Sequence, residues 1–220
     1  MNDLRKNQFS CPLCENPDGE RYYEDGARLY VRCGQCALIF VPESFWLSAA
    51  EEKAEYDRHE NGVDDPGYRK FLSRLVIPML GKLAPGQHGL DFGCGPGPAL
   101  SMMMQEAGHR MTVYDPFYAD SPEVLEATYD FICTTEVVEH LCDPRREFTT
   151  LFSCLKPGGW LGIMTKLTRD DRNAFANWHY IRDRTHICFY HRTTFEYLAM
   201  SFGVSVRFMG PDVILMQKPV

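Results

Sequence analysis

Apolar and polar positions along this chain follow two periods. Residues 88–92, 109–115, 129–133 and 158–164 are short apolar runs that read as buried strands. Residues 99–107 and 147–155 lie between them with helical spacing, and Gly108 stops the first of these helices. A further helix over residues 71–80 precedes the first strand, with a kink expected at Pro78. Residues 193–201 suit a helix capped by Thr193, and residues 204–209 and 213–216 are β-rich runs split by Gly210-Pro-Asp212. The spacing of strand, helix and strand across residues 88–115 predicts one βαβ unit.

Chemistry enters at the turn after the first strand. Gly93, Gly95 and Gly97 alternate in Leu90-Asp-Phe-Gly-Cys-Gly-Pro-Gly97. Glycine permits positive φ and carries no Cβ, so a ligand can approach the backbone closely at the carboxyl end of the strand. A nucleotide-type cofactor is the ligand such a turn predicts. Asp115 ends the second strand, where a doubly wound fold keeps its ribose-binding carboxylate.

Leu90-Asp-Phe-Gly-Cys-Gly-Pro-Gly97, Val113-Tyr-Asp115, Tyr129-Asp-Phe-Ile-Cys133 and Leu155-Lys-Pro-Gly-Gly-Trp-Leu161 resemble, in order, the motifs of class I S-adenosylmethionine-dependent methyltransferases. The resemblance covers residues 67–220 and implies a Rossmann-like α/β fold, with a seven-stranded, mostly parallel sheet and helices on both faces. It implies S-adenosyl-L-methionine as cofactor, with contacts at Asp91, Gly93, Cys94, Gly95, Gly97, Asp115, Pro116, Thr134 and Glu136. Pro116 and Phe117 are candidates for an apolar wall beside the adenine. Family members spend a whole helix and strand between the positions of Asp115 and Tyr129, so this chain is trimmed there. Asp120 and Ser121 are weak substitutes for the acid that often meets the adenine amino group.

Cys11-Pro-Leu-Cys14 and Cys33-Gly-Gln-Cys36 are two C-x-x-C knuckles at zinc-ribbon spacing, with hairpin strands predicted around Asp25-Gly26 between them. Four thiolates close a tetrahedral site, which predicts structural zinc in a ribbon over residues 1–42. Residues 43–66 read as a helical linker, and the turn formers of residues 61–67 mark the boundary with the methyltransferase domain of residues 67–220.

A second constellation, Thr134-Thr-Glu136-Val-Val-Glu139-His140, follows the third strand. On a helix, Glu136, Glu139 and His140 would share one face. The pattern is similar to one in ubiquinone-biosynthesis O-methyltransferases and small-RNA 2′-O-methyltransferases. That likeness implies a second divalent metal, such as magnesium, on Glu136, Glu139, His140 and the distant His186. A hard cation there would lower the pKa of an acceptor hydroxyl. Without a metal, His140 or His186, with Glu139, supplies the catalytic base. Trp178, His179 and Tyr180, with Arg182 and Tyr190, are expected to line the pocket of a small-molecule acceptor, whereas His59, His88 and His109 read as structural.

Charge and composition narrow the partners. A net charge of −7 disfavours nucleic acid without excluding it. No run of eighteen apolar residues exists and the first residues lack the apolar core of a signal peptide, so a cytoplasmic protein with no membrane segment is expected. In a reducing compartment, nine cysteines point to metal ligation rather than disulfides. Three rivals stay open: a ribosomal-RNA guanine methyltransferase that uses the zinc module on RNA, a sugar C-methyltransferase, and a degenerate domain serving as an interaction module. Oligomeric state and the acceptor atom (oxygen, nitrogen or carbon) are not readable.

Overall fold

The computed structural model describes residues 9–58 and 62–220; residues 1–8 and 59–61, among them His59 and Asn61, lie outside the described residues. The knuckles flank an antiparallel hairpin of β1 (Gly19–Glu24) and β2 (Leu29–Cys33). Its turn forms where Asp25-Gly26 predicted it: the Asp25 carboxylate accepts the amides of Ala27 (2.9 Å) and Arg28 (2.8 Å), and Gly26 takes a φ of +83°. β3 (Ile39–Phe40) pairs with β2. Helix α1 (Ala49–Tyr56) follows, begun by a capping box between Ser48 and Glu51.

Helix α2 (Pro66–Leu80) starts earlier than its apolar spacing indicated, because Asp65 caps it and Pro66 suits the first helical position. It runs through Pro78 to Leu80. The next elements are β4 (His88–Phe92), α3 (Ala99–Glu106), β5 (Arg110–Tyr114) and β6 (Tyr129–Thr135). Helix α4 (Pro144–Ser153), β7 (Leu155–Met164), α5 (Arg172–Ala176), β8 (Cys188–Phe189), α6 (Arg192–Phe202), β9 (Ser205–Phe208) and β10 (Val213–Gln217) complete the chain. The cap of α6 is His191 rather than Thr193: its ring accepts the Thr193 amide, and the Thr194 hydroxyl accepts the His191 amide in return.

The main sheet has the order β5-β4-β6-β7-β10-β9. Strands β5, β4, β6 and β7 are mutually parallel, and β10 is antiparallel to both β7 and β9. The fold is the expected α/β sheet with helices on both faces, but among the described residues the sheet has six strands instead of seven. Between β5 and β6 the chain makes only a bridge from Asp115 to Ala119 and a 3₁₀ turn, Pro122–Glu126, so the trimmed segment is too short for another helix and strand.

One face of the sheet packs on α2 and α3 through Leu72, Leu75, Met79, Leu100 and Met104. Gly162 of β7 is the close-approach point, since a Cβ there would lie 2.7 Å from the Met79 sulfur. The other face carries α4 and α6, through Phe148, Leu151, Phe195 and Leu198. That same core continues without interruption into Tyr30, Val31, Leu38, Ile39 and Phe40 of the cysteine-bearing sheet. The continuity comes from strand pairing, because β8 hydrogen-bonds to β3 (Ile39 opposite Phe189) and makes the order β1-β2-β3-β8. Among the described residues, no helix is long and apolar enough to cross a membrane.

Candidate active site

A cleft of about 780 Å³ opens at the carboxyl ends of β4, β5 and β6. The parallel register aligns those ends, with Asp91 of β4 opposite both Val113 of β5 and Cys133 of β6. Its floor on one side is the glycine loop. Gly93 has a φ of +77°, and a Cβ there would fall 2.4 Å from Val137, so both backbone and packing demand glycine. Gly95 has a φ of +63°, and its amide donates to the Asp115 carboxylate over 2.9 Å. The other Asp115 oxygen accepts the amides of Phe117 (2.9 Å) and Tyr118 (3.2 Å). One acid thus fixes the glycine loop against the loop after β5. Asp91 is buried beneath, holding the Ser101 hydroxyl at 3.0 Å, and burial pushes its carboxyl up to about 6.

Cys94, Gly97, Pro116 and Phe117, which the sequence offers as cofactor contacts, also line this end. Thr134 does not. It is wholly buried, and Thr135 faces the cleft in its place because side chains alternate along a strand. The glycine cradle, the two acids and the apolar wall fit a nucleoside-bearing cofactor, and the volume suits one with room for a second small molecule.

The opposite end gathers Glu136, His140, Lys166, His179, Tyr180, Asp183 and His186, with Glu52 and Tyr56 contributed by α1. The expected helix across Glu136, Glu139 and His140 is absent. Instead β6 ends at Thr135, Glu136 takes a left-handed φ of +52°, and Val138–His140 form a 3₁₀ turn. This bend turns Glu136 and Glu139 to different surroundings. Glu136 faces the cleft with a buried Oε1 that has no hydrogen-bond partner. Burial, reinforced by the Asp212 charge and opposed by Lys166 and Arg74, raises its carboxyl to about 7. Glu139 is wholly buried behind the wall. Its oxygens accept the hydroxyls of Tyr180 and Thr165 (2.9 Å to the latter), and burial followed by the Glu136 charge lifts it to about 8.

Both imidazoles lean on the loop of residues 180–186. His186 Nδ1 lies 2.8 Å from the Tyr180 carbonyl and His140 Nδ1 lies 3.2 Å from the Thr185 carbonyl. A carbonyl only accepts, so each ring carries its proton on Nδ1, and in His186 this puts the basic lone pair on Nε2. His186 Nε2 sits 3.6 Å from Asp183 Oδ2. Burial lowers the pKa of His186, favouring the neutral ring. For Asp183, burial works upward but is outweighed by the Thr185 hydroxyl and amide and the His186 ring, leaving the carboxyl below its ordinary value.

Three expected substrate residues lie elsewhere, among them Arg182, which is exposed and does not line the cleft. Tyr190 is wholly buried, gives its hydroxyl to the Val138 carbonyl (2.9 Å) and stacks on Phe195. Trp178, partly buried, packs behind the cleft against Tyr180 and Phe175, so the aromatic insertion is anchored on the core by its buried Phe175 and Tyr180 while Asn173, Ala174, Asn177 and His179 stay exposed. His179 does reach the cleft, bonded to Lys166 Nζ at 2.7 Å. Lys166, which the sequence reading missed, follows the carboxyl end of β7, a position that could have flagged it. Glu52, Tyr56 and Asp183 had no local signal.

Two groups have donor sets that suit metal. Cys11, Cys14, Cys33 and Cys36 bring their sulfurs within 4.8 Å of one another, with Cys11 to Cys36 at 3.5 Å and Cys14 to Cys33 at 3.3 Å. Tetrahedral zinc with Zn–S bonds of about 2.3 Å needs sulfurs about 3.8 Å apart. The knuckles are near copies: Glu15 (φ +60°) donates its amide to the Cys11 carbonyl, and Ala37 (φ +59°) donates to that of Cys33. The residues fit zinc. In the second group, Glu139, His140 and His186 offer ligand atoms within 4.8 Å, and Glu136 is not part of it. A carboxylate with two imidazoles suits a borderline transition ion better than magnesium, which prefers oxygen.

Residues 66–207 match the family described as "Methyltransferase domain". An O-methyltransferase of Pyrenophora dematioidea is 27% identical over 136 residues, 48% of this chain. The match spans about half (51%) of that relative's length. A SAM dependent methyltransferase from Archaeoglobus fulgidus superposes with a TM-score of 0.52 at 19% identity, covering 68% of this chain and 94% of that one. The Burkholderia thailandensis 1,6-didemethyltoxoflavin-N1-methyltransferase, solved with bound 1,6-didemethyltoxoflavin and S-adenosylhomocysteine, gives a TM-score of 0.51 at 16% identity, covering 91% of this chain and 100% of that one.

Proposed function

The chain belongs to the methyltransferase domain family, and from that premise we propose that it moves a methyl group from S-adenosylmethionine to a hydroxyl of a small molecule. The observation that carries the reading is the two-ended cleft, with a glycine cradle and Asp115 at one end and two imidazoles at the other. Gly93, Gly95, Asp115, Pro116 and Phe117 would hold the cofactor, which supplies an electrophilic sulfonium methyl when bound.

The protein's own contribution is alignment and a base. His186 is the preferred base. Its Nδ1 proton is committed to the Tyr180 carbonyl, its Nε2 is free to accept, and lowered basicity keeps it neutral near pH 7. Asp183, 3.6 Å from Nε2, stabilises the imidazolium left after proton uptake. Lys166 and Glu136 frame the acceptor and orient its polar groups. The four cysteines would hold structural zinc.

The convergence of Glu139, His140 and His186 favours a second reading, in which these three hold a transition ion that acidifies the acceptor hydroxyl. Calorimetric titration of S-adenosylmethionine and S-adenosylhomocysteine tests the main reading, followed by acceptor screening with and without manganese, zinc or magnesium. Micromolar cofactor binding is expected. Absence of binding would overturn methyl transfer and return the chain to the interaction-module reading.

A further inference from the structure

Arg28 lies in the turn that leads into β2, yet its guanidinium is buried, only 4% exposed, more than 150 residues along the chain from the groups it binds. One terminal nitrogen donates to the carbonyls of Arg184 (3.1 Å) and His186 (3.0 Å). The other donates to those of Asp183 (3.1 Å) and Ile181. The four N–H groups of the two terminal nitrogens thus meet four carbonyls of one short loop. The Tyr30 ring supports the cation at 5.4 Å, and the Tyr30 hydroxyl is held by Asp25 at 2.8 Å.

A buried cation is costly unless its donors are satisfied, so this arrangement holds only while the loop keeps its shape. The converse is what matters for the cleft. Residues 183–187 belong to neither helix nor strand. The same stretch presents Asp183 and His186 to the cleft and receives His140 on the Thr185 carbonyl. Arg28 grips the loop from its outer side while the imidazoles stand on its inner side.

We propose that Arg28 is a positioning residue for the acceptor end of the cleft: its guanidinium fixes residues 181–186, and with them the His186 imidazole and Asp183 carboxylate, making the cysteine ribbon a part of the active site. The catalytic half of this proposal rests on the reading of His186 as the acceptor-side base. The structural half does not. Lysine at this position keeps the charge but concentrates three donors at one point, so it cannot span four carbonyls.

The test uses the full, zinc-loaded chain and its Arg28→Lys, Arg28→Met and Arg28→Ala variants. Amide hydrogen exchange at residues 181–187 should rise by about tenfold or more in each folded variant, while the glycine loop and core strands keep their protection. Affinity for S-adenosylhomocysteine should stay within about twofold, whereas kcat should fall by about 10²-fold, the cost of misplacing a reacting group by ~1 Å. Millimolar guanidinium should restore part of the protection and turnover of Arg28→Ala. Unchanged exchange at residues 181–187 in Arg28→Lys would overturn the proposal. So would a uniform rise across the whole chain with no guanidinium rescue, which is the mark of a purely structural arginine. If the wild-type chain binds no cofactor, methyl transfer fails, and the exchange comparison still decides the clamp.

Discussion

The Tyr180 hydroxyl donates to the wholly buried carboxylate of Glu139, joining the wall of the cleft to the turn after β6. Thr165, next after β7, holds the other oxygen at 2.9 Å. Removing the Tyr180 hydroxyl leaves half of a buried carboxyl unpartnered. Tyr180→Phe should therefore cost about 1–3 kcal/mol of stability, read from denaturant midpoints.

The same carboxyl gives a pH signature. Burial and then the Glu136 charge raise Glu139 from 4.5 to about 8, with Glu136 itself raised to about 7. The folded state keeps protons that the unfolded chain releases above the ordinary glutamate range. Their stabilising effect is complete below that range and is lost as pH climbs through the folded values. Unfolding midpoints of the metal-free protein should fall from about pH 5 to about pH 8. Glu139→Gln should flatten most of that slope; an unchanged slope would place its origin elsewhere.

Asp115 ties the Gly95 amide to those of Phe117 and Tyr118. Asp115→Ala releases both loops and removes the acid nearest the cradle. Calorimetry should show S-adenosylhomocysteine binding weakened by at least about tenfold, or ~1.4 kcal/mol. Gly93→Ala should do the same and lower stability as well, because its Cβ would meet Val137 at 2.4 Å with φ at +77°.

His186→Asn keeps an amide donor for the Tyr180 carbonyl but removes the base. Turnover should drop by about 10²–10⁴-fold with cofactor affinity retained. In the wild type, kcat/KM should rise with pH and level off below the ordinary histidine value, since burial lowers the pKa of His186.

Zinc content by elemental analysis should be one ion per chain, and Cys33→Ser should lose it. Because β3 pairs with β8, the damage should spread beyond the ribbon. Chelation is expected to raise hydrogen exchange at Cys188 and Phe189 together with that of β2 and β3, whereas a freely tethered ribbon would leave β8 protected.

Much of this protein was determined locally. The glycine turn after β4, the Asp25-Gly26 hairpin and the two knuckles each depend on a few neighbouring residues, whose φ preferences and side-chain bonds are written into short motifs. The apolar runs located β4, β5, β6 and most of β7 because burial on both faces of a parallel sheet leaves a plain signal. Even the missing unit between β5 and β6 was legible, as a stretch too short to hold one. Tertiary structure decided the rest. Glu136 and Glu139 diverge because the chain bends where a helix was expected, and Tyr190 points into the core, with Trp178 packed against it, because aromatic side chains next to a packed sheet gain more from burial than from lining a cleft. The ribbon joins the core through β8, and Arg28 reaches the loop beside His186, through contacts between residues more than a hundred positions apart. A period or a spacing encodes what a residue does to its neighbours in the chain, while the partner of a buried side chain is set by how the finished layers meet.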